Sequence, residues 1–246
     1  MSKEEILEML RDDDNYYGDY GKQWLSNSDI SALLHNPRDF QKRDATTNPA
    51  FLQGGYFHTM ILEPHKLDNY DVIDVSTRNS KMYRDFGKPA LLQREVDNMN
   101  KMKDVLEKCN ETRNLIYPLF EDDNSIEYEV PGITTLYDVP WKGKADILNH
   151  SEKLIVDLKT TGDVLSFRKS AYKYNYDSQA YIYKHLFGYD LMFVAIDKTT
   201  HQIGVFECSD HFYDSGEQKV ERAVDVYRQW TDKNFNPDQA FIYETL

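Results

Sequence analysis

The chain has 246 residues, 29 basic and 42 acidic, for a net charge of −13, and 40% of it is hydrophobic, enough for one mixed domain with a sizeable core. Its longest apolar runs, such as residues 191–196, fall far short of the roughly 20 residues of a membrane span, so no membrane partner is expected. Two cysteines, Cys109 and Cys208, exclude a disulfide scaffold or a four-cysteine metal site; with no apolar run behind Met1, no secretion signal is read and a reducing, cytoplasmic setting is expected.

Residues 1–25, dominated by Asp12-Asp13-Asp14 and a Tyr/Gly-rich run, read as a flexible arm. One domain is expected over 26–246, helical to about residue 120 and α/β beyond it. Ser28-Asp29 caps a helix with an apolar stripe of Ile30, Leu33 and Leu34, and Pro37 ends it. Pro49 opens a second helix through Phe51, Leu52, Phe57, Met60 and Ile61, stopped by Glu63-Pro64. Gly54-Gly55 inside it point to close approach of another backbone or a ligand. Residues 66–85 read as irregular, with one strand over 70–75. A long helix over 88–117 carries Leu91, Leu92, Val96, Met99, Met102, Val105 and Leu106 as plain core.

From residue 126 the pattern shifts to short strands over 126–130, 133–139, 141–149 and 153–159, with turns at Pro131-Gly132 and 149–152. Helices over 164–171 and 176–187 follow, then a strand pair over 191–197 and 202–207, a helix over 211–230, and an aromatic tail of Phe235, Phe241 and Tyr243. The expected fold is α/β with a mixed sheet.

The chemistry concentrates in Ala145-Asp146 and Asp157-Leu158-Lys159-Thr160-Thr161. Asp157 and Lys159 lie two apart on a strand and share a face, and a hairpin brings Asp146 beside Asp157. Two converging carboxylates and a lysine suit a hard divalent cation and a polarised water, the equipment of phosphodiester hydrolysis. An isolated Asp-x-Lys is more often a pair of surface charges. Here the apolar Leu154-Ile155-Val156 makes Asp157 end a buried run, and Thr160-Thr161 breaks the strand into a loop. Gln179 and Tyr183, one helical turn apart, share a face that Tyr181 does not.

These segments, with Gln179-Ala180-Tyr181-Ile182-Tyr183, resemble the PD-(D/E)XK nuclease superfamily, in particular its RecE and lambda-exonuclease branch. Residues 24–37, the glycine/histidine helix from Gly54 to Pro64, and Thr77-Arg78-Asn79-Ser80-Lys81 fit the same branch, so the likeness spans about residues 20–230. It implies a restriction-endonuclease-like core, a mixed central sheet flanked by helices, with an N-terminal helical elaboration. It further implies Asp146, Asp157, the Leu158 carbonyl and His58 as metal ligands, Lys159 acting on the attacking water, and Gln179 and Tyr183 facing the cleft. A first-strand glutamate completes such sites; Glu129 is the choice and Glu127 the fallback, with the extra-looking segment 133–139 as a departure from the pattern.

The activity implied is a Mg²⁺- or Mn²⁺-dependent exonuclease, with one or two ions. It acts 5′→3′ on linear duplex DNA and leaves 3′ overhangs for a single-strand annealing protein. Partners implied are DNA ends and a homo-oligomeric ring, trimeric or tetrameric, in the cytoplasm of a bacterial host if phage-encoded. Ser28, Arg38, Lys42, Arg43, Arg168 and Lys173, with Lys169, are read as DNA contacts at the cleft mouth, against the plainer reading of solvated surface. The competing readings are an endonuclease of the same superfamily and a non-catalytic DNA-end or protein-binding module. A CRISPR-adaptation nuclease would want four cysteines.

Overall fold

A computed structural model describes residues 1–41, 48–118 and 125–232. The chain opens with α1 (Lys3–Arg11), α2 (Asp13–Tyr17) and a 3₁₀ turn at Gly21–Gln23, followed by α3 (Asn27–His35). Residues 1–25 are therefore no arm. Leu10 and Tyr16 are buried, and Leu25 pairs with Trp141, because the segment covers apolar and cationic surface that sequence-local reasoning cannot see. Ser26, not Ser28, caps α3: its backbone N–H and its hydroxyl both donate to the Asp29 carboxylate, at 2.8 and 2.9 Å.

The second helix, α4 (Pro49–Leu62), has the expected bounds. Around Gly55 the close neighbour is the Tyr70 hydroxyl, not a backbone, and Gly54 faces open space. A short parallel pair, β1 (Val72–Ile73) and β2 (Leu91–Leu92), brackets α5 (Lys81–Phe86). The single helix read over 88–117 is two, α6 (Gln93–Lys108) and α7 (Asn110–Ile116). Cys109 between them is extended, and the Thr112 hydroxyl donates to the Leu106 carbonyl at the break.

The main sheet has five strands in the order β3 (Ile126–Leu136), β4 (Val139–Asn149), β5 (Leu154–Thr161), β6 (Asp190–Asp197), β7 (Ile203–Glu207). Only β5 and β6 run parallel, so their connection crosses over a face, through α8 (Phe167–Lys173) and α9 (Tyr176–Phe187). The long helix α10 (Asp210–Thr231) packs on α9 and α3. One core lies between this helical layer and the sheet, around Trp141, Ile155 and Phe193. The other joins α4 and α6 to Ile147, Val156, Leu158 and Val194 on the opposite face.

Pro131-Gly132 is no turn. Both residues lie within β3, opposite Lys144 and Gly143. β3 is the sheet edge, where a missing N–H is tolerated. Gly132 lacks the Cβ that would meet the Phe187 ring at 2.8 Å. The hairpin turns instead at Tyr137-Asp138, both left-handed (φ 52° and 58°), without the Asn-Gly signal such a turn usually carries. Segment 133–139 is thus mostly the outer half of one long strand. No helix of the described residues is long and apolar enough to cross a membrane.

Candidate active site

The strands β4 and β5 pair only over Ile147–Asn149 and Leu154–Val156, then diverge. The outer part of β4 bonds instead to Leu25, whose N–H donates to the Pro140 carbonyl and whose carbonyl accepts from Lys142 N–H, at 2.9 and 2.8 Å. The result is a fork, with Asp146 on one bank and Asp157 on the other.

At its base the Asp146 Oδ2 accepts the Leu158 N–H at 2.8 Å, in place of the next strand-to-strand bond. The carbonyl of a strand residue leaves on the same side as its N–H, so the Leu158 carbonyl faces the same gap. His58 on α4 brings Nδ1 to 3.2 Å from the same Asp146 oxygen. Burial works against ionising Asp146, but His58, Lys159 and the Leu158 N–H outweigh it and hold its pKa below the usual carboxylate value. Burial likewise lowers the His58 pKa, and Asp146 more than restores it, so the imidazole pKa ends above its ordinary value.

Asp157 is 1% exposed. Its Oδ1 accepts from Gln179 Nε2 at 2.5 Å, while Oδ2 forms the ion pair with Lys159 and accepts no hydrogen bond of regular geometry. Burial, with Asp146 adding to it, pushes the carboxyl up to about 6 against the pull of Lys159. The Lys159 ammonium lies 4.8 Å from the Tyr176 ring centroid. Burial opposes its charge, yet Asp157, Tyr176 and Asp146 carry its pKa above the usual lysine value.

Glu129 stands across from Asp146, since the register continues unchanged on either side through Tyr128–Ile147 and Val130–Ala145. It is left-handed, φ 51°, inside a strand. A non-glycine residue there bears on the order of 1–3 kcal/mol of strain, which commonly accompanies function. Burial first, then Asp146, pushes its carboxyl up to about 8. Glu127 is directed elsewhere, to His150 Nε2 at 2.7 Å and to Arg11 at 3.7 Å.

Tyr183 does not touch the carboxylates; its hydroxyl donates to the Lys144 carbonyl at 2.9 Å. Gln179 and Tyr183 therefore anchor α9 to both banks of the fork. Gly143 permits this, because a Cβ there would sit 2.6 Å from the Tyr183 ring.

The expected DNA contacts are scattered. Ser28 is exposed in the first turn of α3, beside the Ser26 hydroxyl; Arg38 is exposed in the 3₁₀ turn after it. Arg168, Lys169 and Lys173 are exposed on α8, which follows the end of β5. Lys42 and Arg43 lie outside the described residues, as does the aromatic tail. Sequence reasoning missed a cavity of about 390 Å³ beside β5, of mixed lining, with Gln53, Arg94, Glu95, Thr160 and Lys198 beside Met99 and Met102. Its residues come from four distant stretches of chain, and no local pattern announces it.

Whether the residues fit a metal can be judged from the donors. Asp146, Asp157, Glu129 and the Leu158 carbonyl offer oxygens, the preference of a hard cation. The buried Asp157 Oδ2 without a regular hydrogen bond is an acceptor a cation would satisfy. Among the described residues no three His, Cys, Asp or Glu side chains stand close enough together to hold an ion, and His58, Lys159 and Gln179 are bonded to the two aspartates. The donor chemistry fits; the side chains are bonded to one another.

A hairpin running into a parallel strand pair, with carboxylates on diverging strands and a lysine two residues beyond the second, defines a PD-(D/E)XK fold. Residues 22–244 match the model of the family described as a PDDEXK-like domain of unknown function, DUF3799, and the chain belongs to that family. It is similar in structure to a protein of Eubacterium rectale described as a candidate exonuclease, with TM-score 0.65 and 14% identity over 96% of this chain and 95% of that one. A phage-related exonuclease from Haemophilus somnus 129PT aligns over 84% of this chain and 94% of its own, with 15% identity and a TM-score of 0.38, too low to carry weight. No curated protein matches the sequence.

Proposed function

We propose that this protein is a divalent-metal-dependent deoxyribonuclease that digests linear duplex DNA from its ends. The family and the fold support a nuclease. The observation that carries the reading is the fork itself, where Asp146 and Asp157 face one gap with Lys159 paired to Asp157. The 5′→3′ polarity, the 3′ overhangs, the annealing partner and a trimeric or tetrameric ring around DNA rest on the resemblance to the RecE branch.

Asp146, Asp157, the Leu158 carbonyl and His58 would hold Mg²⁺ or Mn²⁺, one or two ions, with Glu129 completing the set. When bound, such an ion would supply an acidified water and charge to balance that developing on the phosphate. The chain's own groups do the rest. Lys159 supplies a fixed charge that orients the attacking water and offsets negative charge developing on the phosphate oxygens. Gln179 keeps the Asp157 carboxylate turned into the gap, and Tyr183 holds the opposite bank in place. Arg168 and Lys173 beyond β5, with Arg94 and Lys198 around the neighbouring cavity, are suited to phosphate contacts.

The test is digestion of 5′- and 3′-end-labelled linear duplex with Mg²⁺, beside covalently closed circles. Linear DNA is degraded from one labelled end, and circles resist. Asp146→Ala and Asp157→Ala each abolish cleavage while circular dichroism shows the fold retained. Wild-type activity in either folded variant removes the site assignment, and nicking of closed circles moves the endonuclease reading to first place.

A further inference from the structure

Two lysines on β4 lend only their backbone to the fork, and their side chains take no part in it. Lys142 and Lys144 alternate with Gly143, so they project from the same strand face as Asp146. Each is only 7% exposed. What covers them is the N-terminal helical segment. Asp13 places Oδ1 2.6 Å from the Lys144 ammonium and Oδ2 2.7 Å from that of Lys66. The Tyr16 carbonyl accepts from Lys142, and the Tyr16 ring lies 4.2 Å from the Lys142 ammonium and 4.7 Å from that of Lys144.

The location is specific. Lys144 stands two residues before Asp146, and Lys66 follows the end of α4, the helix that carries His58. Asp13 therefore bridges the two elements that bring Asp146 and His58 together. Its carboxylate offers each ammonium one anionic oxygen, as a phosphodiester would.

Lys142 forms no ion pair among the described residues and is held by a carbonyl and a ring alone, an unfavourable setting for a buried ammonium. Burial accordingly lowers its pKa to about 8. Lys66 is also paired with Glu63 Oε1 at 2.7 Å, so among the described residues the three ammonium groups meet two ion-paired carboxylates, and Lys142 is the one left without such a partner. The family match begins at residue 22, so the cover lies outside the matched domain and the three lysines lie within it. Its second helix, α2, has five residues, too few to keep helical form once undocked, so the docking contacts of Asp13 and Tyr16 are what hold it.

We infer that Lys66, Lys142 and Lys144 form a binding site for a phosphodiester of the DNA strand entering the fork, which Asp13 on α2 occupies until substrate displaces it. The inference rests on the nuclease reading. It makes the apparent DNA affinity of the intact chain lower than the intrinsic one by the fraction of molecules with the lysines uncovered.

The experiment uses the full chain and a fluorescent duplex oligonucleotide, with Ca²⁺ replacing Mg²⁺ so that binding is read without cleavage. Asp13→Asn binds roughly three- to tenfold more tightly than wild type, the scale of two part-exposed ion pairs. In that background Lys144→Ala reduces the slope of log affinity against log salt by about one. As a measurement on wild type, amide exchange over residues 3–17 accelerates when duplex is added.

A folded Asp13→Asn that binds no more tightly, an unchanged salt slope in Lys144→Ala, or unchanged or slowed exchange over residues 3–17 overturns the proposal. If wild type binds and digests no DNA at all, the nuclease reading fails first and the site falls with it, a result distinct from DNA binding that is indifferent to Asp13.

Discussion

Lys159 is where geometry and charge can be separated. Its ammonium sits against Asp157 and over the Tyr176 ring, with a side chain only 16% exposed. Arginine keeps the charge, but its planar fork is larger and spreads that charge over three nitrogens. If the lysine positions the attacking water, Lys159→Arg and Lys159→Ala both lose at least about a hundredfold in turnover. DNA binding measured in Ca²⁺ persists in both. Near-wild-type turnover of Lys159→Arg would show that charge alone suffices there; near-wild-type turnover of Lys159→Ala would take the residue out of the site. At this scale much was legible in the sequence. Strand alternation and a hairpin suffice to gather Asp146, Asp157 and Lys159, whereas only the family resemblance places Gln179 beside them. Glu129 could not be separated from Glu127 in that way, because the distinction lies in a left-handed backbone angle and in a His150 that claims Glu127.

Helices announced themselves where a cap or a proline punctuates the chain, as at Pro49 and Pro64, and α9 has the bounds its pattern implies. Elements whose ends are decided by a neighbour did not. Residues 1–25 fold because a lysine pair more than a hundred residues away needs cover, and β3 runs straight through a Pro-Gly because its outer side is a sheet edge. The contact between α9 and α10 is of the same kind and gives a prediction. Gly216 on α10 leaves room for the Asp177 carbonyl; a Cβ there would stand 2.1 Å from that oxygen. Asp177 is fully buried, held by Lys219 at 2.8 Å and by the Ser215 hydroxyl at 2.7 Å. Gly216→Ala must push the helices apart, and the expected loss is about 1–3 kcal/mol of unfolding free energy. Urea denaturation reads it. The shift reaches Gln179 on the same helix, so turnover falls as well; a variant as stable as wild type would show that the helices separate without cost.

Across the whole molecule, stability is expected to fail on the acid side through carboxylates remote from the fork. Glu95 is buried enough to be disfavoured as an anion, but Arg78 at 2.6 and 2.7 Å and the Leu92 N–H outweigh that and hold its pKa below the ordinary 4.5. Burial of Asp197 is likewise overcome by the N–H groups of Thr200, Thr199 and Val164, which hold it below 3.8. Both pKa values are lower folded than unfolded. Their stabilisation is therefore complete above the ordinary values and is lost as pH falls through the folded ones. The urea midpoint should drop steadily below about pH 4.5, and Glu95→Gln should be less stable at neutral pH with a shallower acid slope. An equal slope in that variant would place the acid sensitivity elsewhere. The attachment of Leu25 to β4 also bears on how molecules meet one another. Where β4 leaves β5, its backbone would face outward with donors and acceptors unmet, the template on which a foreign polypeptide adds as a further strand. Two bonds from one leucine close that invitation over residues 140–142. The same two bonds thus satisfy the edge of β4 on one side of the seam without drawing β4 and β5 together.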